Sequence, residues 1–120
     1  MDLAKVLIVD DDRTTTKLLQ TLLELDGFEI SVAPRGADVI PMAEEIQPDL
    51  FLMDYHLSDT EGVVVLRELR AMARFARTPV VVASGLDVED EVMAAGANVF
   101  LTKPFEPSDL PGLFNQLIAG

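Results

Sequence analysis

The chain has 120 residues, 49% of them apolar, and nine Lys and Arg residues against 21 Asp and Glu residues give a formal net charge of −12. This length suits a single domain with one core, and the apolar fraction excludes an acidic disordered tail. The negative charge argues against contact with nucleic-acid phosphates or anionic membranes. The absence of cysteine excludes disulfides, thiolate metal sites and cysteine nucleophiles.

The N-terminus and the hydropathy both favour a cytoplasmic location. Residues 1–5 lack the order of charge followed by an apolar stretch that marks a signal peptide. No apolar run approaches the roughly 20 residues that span a bilayer. We therefore expect a cytoplasmic protein with no membrane contact.

Short apolar runs alternate along the chain with stretches of helical period. Gly27 and Gly96 end two of the helical stretches, and Pro111 is tolerated in a first turn. Pro41 must either lie in the first turn of its helix or kink it. The predicted strands are residues 5–9, 28–33, 49–54, 79–84 and 98–102. The predicted helices are residues 13–25, 37–46, 62–76, 88–95 and 109–118.

Five strands and five helices in strict alternation predict a doubly wound α/β fold. Strands joined through helices run parallel by right-handed crossovers, and the helices then cover both faces of the sheet. The sequence shows no internal repeat, low-complexity tract or linker. We therefore expect residues 1–120 to form one domain.

Chemically capable side chains follow four of the five predicted strands. Asp10-Asp11-Asp12 follows the first strand, Asp54 ends the third, Ser84 ends the fourth and Lys103 follows the fifth. Each alone has an ordinary explanation as a helix cap or a turn residue. Because the carboxyl ends of parallel strands meet at one edge of the sheet, the four together predict a site there.

The residue types at this edge suit phosphoryl transfer to an aspartate. Converging carboxylates repel one another and require either raised pKa values or a cation. Mg²⁺ suits a site with a few oxygen ligands, because it keeps several waters and bridges to phosphate oxygens. In this hypothesis an Asp attacks phosphorus, a metal and a Lys neutralise phosphoryl oxygens, and a hydroxyl binds another.

Four segments resemble the response-regulator receiver domain of two-component signalling, and the resemblance covers residues 4–119. The segments are residues 6–12 (VLIVDDD), 48–54 (PDLFLMD), 79–85 (PVVVASG) and 95–105 (AGANVFLTKPF). Each is weak alone, but all four in this order and spacing are specific. The resemblance implies a flavodoxin-like fold with five helices and strand order 2-1-3-4-5.

The resemblance also implies which residues accept the phosphoryl group and which bind the metal. Asp54 resembles the phosphoryl-accepting aspartate. Asp11 is implied as a direct Mg²⁺ ligand, while Asp10 acts mainly through a metal-bound water. His56, two residues beyond the acceptor, would give its backbone carbonyl to the same ion, which Asp54 also binds.

Three further positions match residues that handle the phosphoryl group and the switch. Ser84 would bind a phosphoryl oxygen, Lys103 would pair with the phosphate, and the Lys103–Pro104 bond is implied to be cis. Phe100 matches the residue that turns inward as Ser84 moves. Since Phe100 lacks the hydroxyl of the commoner Tyr, its inward position cannot be read out by a hydroxyl hydrogen bond.

His56 and Leu86 match positions that control the approach of hydrolytic water to the phosphorylated residue. Our hypothesis is that they set the lifetime of the phosphorylated state. The alternative for His56 is an exposed imidazole whose residue contributes only its carbonyl.

Two other classes of protein compete with this interpretation. Asp10-x-Asp12-x-Thr14 after a buried strand also fits the haloacid-dehalogenase phosphatases, with Asp10 as nucleophile and Asp12 as general acid. That class needs a longer chain, and it leaves Asp54 unexplained. The second alternative is a pseudo-receiver that binds partners without being phosphorylated, which the intact set of acids, Ser84 and Lys103 argues against.

The resemblance implies protein partners on both sides of a signal. Upstream it implies a sensor histidine kinase or phosphotransfer protein, and downstream an effector protein or an attached output domain. We expect no direct nucleic-acid binding by this domain. A homodimer through the face of the fourth helix, fifth strand and fifth helix is a further option, although residues 110–120 carry no charged side chain for ion pairing. A following domain beyond Gly120 stays an open alternative.

A basic stripe is predicted on the third helix. Arg67, Arg70, Arg74 and Arg77 are spaced by three, four and three residues, which places them on one face of a helix over residues 62–76. The stripe is either a solvated face that offsets the acidic field or a contact for an acidic partner or attached domain.

Overall fold

The computed structural model describes residues 3–120 and contains one parallel sheet of five strands in the order β2-β1-β3-β4-β5. The strands are β1 (Lys5–Val9), β2 (Glu29–Ala33), β3 (Leu50–Asp54), β4 (Val80–Ser84) and β5 (Val99–Thr102). The α-helices are α1 (Arg13–Leu25), α2 (Val39–Ile46), α3 (Gly62–Ala71), α4 (Glu89–Ala94) and α5 (Leu110–Ala119). The predicted alternation and strand order are confirmed.

The sheet separates two apolar layers, because successive strand residues point to opposite faces. On β1, Leu7 and Val9 pack into the layer under α2, α3 and α4, whereas Val6 and Ile8 pack into the layer under α1 and α5. The three central strands are therefore almost continuously apolar and buried on both faces. Within residues 3–120, none of the helices has the length and apolar character needed to cross a membrane.

The third helix is shorter than predicted. It ends at Ala71, Met72 is extended, and a 3₁₀ turn follows at Ala73–Phe75. Two features compete with continuing the helix: Phe75 turns into the core, and the guanidinium of Arg70 donates to the carbonyl of Phe75. The prediction of a helix to residue 76 was wrong, because helical spacing in the sequence does not reveal these tertiary contacts of Phe75 and Arg70.

The prediction of a basic stripe on the third helix was therefore wrong as well. Arg74 lies in the 3₁₀ turn and Arg77 lies beyond it, so the four arginines do not share a helical face. Arg70 is half-buried and donates hydrogen bonds to four acceptors, so it is no free solvated cation.

Smaller differences concern element ends. Short 3₁₀ turns at Gly36–Asp38 and Pro107–Asp109 precede α2 and α5, where the sequence predicted the helices themselves to begin. Pro41 lies in the first turn of α2, and Pro111 is the second residue of α5. Gly27 and Gly96 adopt positive φ values of 92° and 112°, as residues that end helices commonly do.

Candidate functional site

The predicted site residues meet at the carboxyl edge of the sheet. Register pairs Val9 of β1 with Met53 of β3, and Asp54 with Ala83 of β4. The acids after β1 therefore lie beside Asp54, and Ser84 lies one position past the partner of Asp54. Lys103 follows β5, and its backbone N–H donates to the carbonyl of Ser84 at 2.9 Å. The Lys103–Pro104 bond is cis.

Three carboxylates, of Asp10, Asp11 and Asp54, form what we call the carboxylate cluster. One oxygen from each lies within 4.8 Å of the others. Asp10 is buried, Asp54 half-buried and Asp11 exposed, so the cluster opens to water on one side. Hard oxygen donors with open positions are the set that Mg²⁺ binds while keeping its waters. The residues present therefore fit this ion.

Lys103 is the cation of the cluster. Its Nζ donates to Asp54 Oδ1 at 3.0 Å and lies 4.0 Å from Asp10 Oδ2. Among residues 3–120, one ammonium thus contacts two of the three carboxylates, and the negative charge of the cluster is not fully compensated. This imbalance favours binding of a further cation.

Asp10 is the carboxyl of the cluster whose ionisation is disfavoured by its surroundings. Burial raises the pKa of its carboxyl above 3.8, and repulsion from Asp54 adds to the effect, although a hydrogen bond from the Asp12 amide opposes it. That amide donates to Asp10 Oδ1 at 3.0 Å. The cluster therefore contains one carboxyl whose ionised form is disfavoured until a cation arrives.

Ser84 is 2% exposed, and its hydroxyl is engaged with the loop that follows β4. The Oγ accepts a hydrogen bond from the Leu86 amide at 3.0 Å. A hydroxyl that accepts at its oxygen still has its own hydrogen to donate. Ser84 therefore joins the end of β4 to the following loop at Leu86 and keeps a donor for a second partner.

The loop from β3 to α3 carries His56 and approaches the acceptor strand closely. A Cβ on Gly62 would collide with the carbonyl oxygen of Asp54, which explains a glycine there. Amides of Leu57 and Gly62 bond to the carbonyls of Thr60 and Tyr55, and they close the loop. Among residues 3–120, no hydrogen bond is made to the carbonyl of His56 itself, so this oxygen is available as a ligand.

In the part of the chain that the structure describes, the other predicted residues make no side-chain hydrogen bond to the cluster. The His56 imidazole is exposed and packs edge-on against the Tyr55 ring, with centroids 5.0 Å apart. Leu86 is 51% exposed on the loop after β4. Phe100 is half-buried on β5 and packs against the layer under α2, α3 and α4.

Asp12 contradicts the phosphatase alternative. It caps α1, and its carboxylate accepts hydrogen bonds from the amides of Thr14 and Thr15 and from the Thr15 hydroxyl. The bond from the Thr15 side chain is the main cause of a pKa below the ordinary value for Asp. A carboxylate held ionised in this way is unsuited to act as a general acid.

Tyr55 is a polar side chain at this edge that the sequence analysis missed. It follows Asp54 directly, its ring is buried, and its hydroxyl donates to Glu91 Oε1 on α4 at 2.8 Å. The carboxylates of Glu61 and Glu91 raise its pKa above the ordinary value. One signal was available: a lone tyrosine at the end of a buried strand needs a partner for its hydroxyl.

A comparison with family models assigns the chain to a family. The family model described as the response regulator receiver domain matches residues 6–115. The chain belongs to this family. Receiver domains are signalling domains of two-component systems, and they work with histidine kinases and with effector or output domains.

Curated relatives differ in how much of their length this receiver domain covers. The chain is 33% identical over 121 residues to Protein PilH of Pseudomonas aeruginosa, covering 98% of this chain and 100% of that protein. It is also 38% identical over 117 residues to the transcriptional regulatory protein PrrA of Mycobacterium leprae, covering 95% of this chain and 49% of that protein. The chain spans about half the length of such transcriptional regulators.

Solved structures confirm the predicted flavodoxin-like architecture. The receiver domain of the Pseudomonas aeruginosa sensor histidine kinase PA1611 superimposes with a TM-score of 0.89 at 25% identity, covering 99% of this chain and 100% of that one. That structure holds a magnesium ion coordinated in its active-site cleft. Receiver domains bind Mg²⁺ in an acidic pocket, and the carboxylate cluster supplies such a pocket here.

Proposed function

We propose that Asp54 accepts a phosphoryl group from a phosphohistidine of a sensor histidine kinase or phosphotransfer protein. The observation that carries the proposal is the 3.0 Å contact between Lys103 Nζ and Asp54 Oδ1 within a cluster of two further carboxylates. The proposal treats residues 1–120 as one receiver domain located in the cytoplasm.

The chemistry follows from the groups around Asp54. A carboxylate oxygen of Asp54 bonds to phosphorus while the phosphorus–nitrogen bond breaks, and the imidazole leaves after taking up a proton. The product is an acyl phosphate of about −2 charge in place of a carboxylate. Lys103 donates to one phosphoryl oxygen, and the hydroxyl of Ser84 donates its hydrogen to another.

The metal set of the proposal is Asp10, Asp11, Asp54 and the backbone carbonyl of His56. Mg²⁺ bound there supplies charge neutralisation for the phosphoryl oxygens. Asp10, whose pKa is raised by burial, gains most from a neighbouring cation. Asp11 is the exposed ligand through which the site opens to water.

The phosphorylated state ends by hydrolysis that the domain itself catalyses, so catalysis is confined to its own phosphorylation and dephosphorylation. His56 and Leu86 lie on the loops that follow β3 and β4, and both are exposed, which suits control of water access. We expect His56→Ala and Leu86→Ala to change the rate of phosphoryl loss. Unchanged rates in both variants would remove these residues from the account.

Output passes through a protein surface. As Ser84 moves, Phe100 turns inward and the face of α4, β5 and α5 changes. An effector protein, an attached output domain or a second copy of the chain binds that face. This domain itself does not bind nucleic acid.

Intact mass after incubation with acetyl phosphate tests the proposal. The full chain is expected to gain one phosphoryl group with Mg²⁺ and to gain far less after chelation with EDTA. Asp54→Asn, which keeps the shape of the side chain, is expected to gain none. Labelling that survives Asp54→Asn would refute the proposal, and a parent chain that is never labelled would favour the pseudo-receiver.

A further inference from the structure

Helix α4 has few interactions of its own to hold it in place. It spans only six residues, Glu89–Ala94, and its N-cap residue Val88 makes no side-chain capping bond. Helices this short are unstable in isolation and depend on tertiary contacts. Val92 provides one contact by packing into the core. The position of α4 is therefore set by a small number of interactions.

Tyr55 supplies the polar contact to this helix. Its hydroxyl donates to Glu91 Oε1 at 2.8 Å. Within residues 3–120, this is the only side-chain hydrogen bond that joins α4 to the rest of the domain. The Tyr55 ring is 5% exposed, so its orientation is fixed by packing rather than by solvent.

Two chains of contacts lead from the acceptor to α4. In one, Tyr55 follows Asp54 directly, bonds through its amide to Ala83 at 3.0 Å, and reaches Glu91 through its hydroxyl. In the other, the Ser84 hydroxyl accepts from the Leu86 amide, and the Leu86 carbonyl accepts from Val88. A change at Ser84 acts on α4 through the second chain, whereas the bond from Tyr55 and the packing of Val92 hold α4 independently of it.

We propose that Tyr55, through its hydroxyl bond to Glu91, is a positioning residue that holds α4 in the place it has in the unphosphorylated domain. Phe100 has no hydroxyl, and Tyr55 is the only tyrosine of the chain. Phosphorylation then has to work against the Tyr55–Glu91 bond to move α4. This inference rests on the proposed function at Asp54.

Two measurements on the full chain, each made on two variants and a control, test the inference. Tyr55→Phe removes the hydroxyl and with it the interactions with both Glu61 and Glu91, whereas Glu91→Ala removes only the acceptor on α4, from an exposed position. Glu89→Ala is the matched control, since it removes the same charge from α4 without touching that bond. Amide hydrogen exchange of residues 88–95 reports the attachment of α4. Binding of beryllium fluoride with Mg²⁺, a stable mimic of the acyl phosphate, reports the switched state at equilibrium.

We expect exchange in residues 88–95 to rise about fivefold in Tyr55→Phe and Glu91→Ala, the size expected for one hydrogen bond to a charged acceptor that is partly exposed. By linkage, both variants should bind beryllium fluoride more tightly by a similar factor of about five. Damage to the fold would weaken binding, so tighter binding separates the positioning role from a merely structural one.

Unchanged or weaker binding in both variants would overturn the inference, as would an equal gain in Glu89→Ala. Unchanged amide exchange in both variants would also overturn it, whatever the phosphorylation assay shows. A parent chain that neither binds beryllium fluoride nor accepts phosphoryl groups would instead contradict the proposed function, and the inference would fall with it.

Discussion

Two polar clusters lie at opposite ends of the strands, and they differ in how well their charges are matched by partners. At the carboxyl edge, the carboxylate cluster sets three carboxylates against the single ammonium of Lys103. At the other edge, the guanidinium of Arg70 meets the carbonyls of Phe75, Thr78 and Gly96 and the side-chain oxygen of Asn98, at 2.7–2.9 Å, in what we call the arginine junction.

This difference in pairing indicates that the arginine junction stabilises the fold, whereas the carboxylate cluster serves function. In the arginine junction each nitrogen of the guanidinium has an acceptor, and the planar group ties the end of α3 to the start of β4 and to the turn after α4. In the carboxylate cluster, like charges are held together at a cost in folding free energy. Such a cost is typical of sites whose compensating partner is a ligand.

The largest expected effect is in the arginine junction. Arg70→Leu leaves partly buried carbonyls without a donor, so we expect the free energy of unfolding to fall by about 2–3 kcal/mol. Urea denaturation measures this. Arg67→Leu is the control, because Arg67 is exposed and makes no hydrogen bond among residues 3–120. Equal losses in the two variants would show that the junction does not stabilise the fold.

Magnesium binding at the carboxylate cluster should have an intermediate effect on the free energy of unfolding. At ten times its dissociation constant, the ion is expected to raise the free energy of unfolding by about 1.4 kcal/mol, since it binds the folded chain alone. Asp11→Asn should remove most of this gain without disturbing the core, because Asp11 is exposed. Arg70→Leu should keep the gain in full. A gain of the same size in Asp11→Asn would place the ion elsewhere.

The smallest expected effect on the free energy of unfolding comes from removing the negative charge of Asp10. Its pKa is raised on folding, mainly by burial, so its contribution to stability is complete below about pH 3.8 and is lost as the pH rises through the folded pKa. Asp10→Asn keeps an acceptor for the Asp12 amide. Without metal at neutral pH, we expect this variant to be more stable than the parent, by less than the gain from magnesium, because a neutral amide avoids the cost of burying an ionised carboxyl.

The gain from Asp10→Asn should vanish below pH 3.8, where the parent carboxyl is protonated in both the folded and unfolded chains. Glu29→Gln, at an exposed position on β2, is the control and should show no such gain. A lower stability in Asp10→Asn at neutral pH would mean that the carboxylate cluster carries no folding cost.

The same comparison explains what the sequence could and could not predict. The strands and the carboxyl-edge residues follow from local patterns, since apolar runs and strand ends place Asp10, Asp54 and Lys103 directly. Arg70 was misassigned to a basic stripe on the helix surface because its acceptors lie up to 28 residues away along the chain. The contact of Tyr55 with Glu91, 36 residues apart, depends likewise on the packing of α4 and has no local signature.

The central claim is that Asp54, and no other carboxylate of the cluster, carries the phosphoryl group. The direct test is to treat the full chain with acetyl phosphate and Mg²⁺, reduce it with sodium borohydride, and map the peptides by mass spectrometry. Reduction converts an aspartyl phosphate to homoserine and leaves free aspartates intact. We predict homoserine at position 54 alone. Homoserine at Asp10 or Asp11, with Asp54 unmodified, would contradict it.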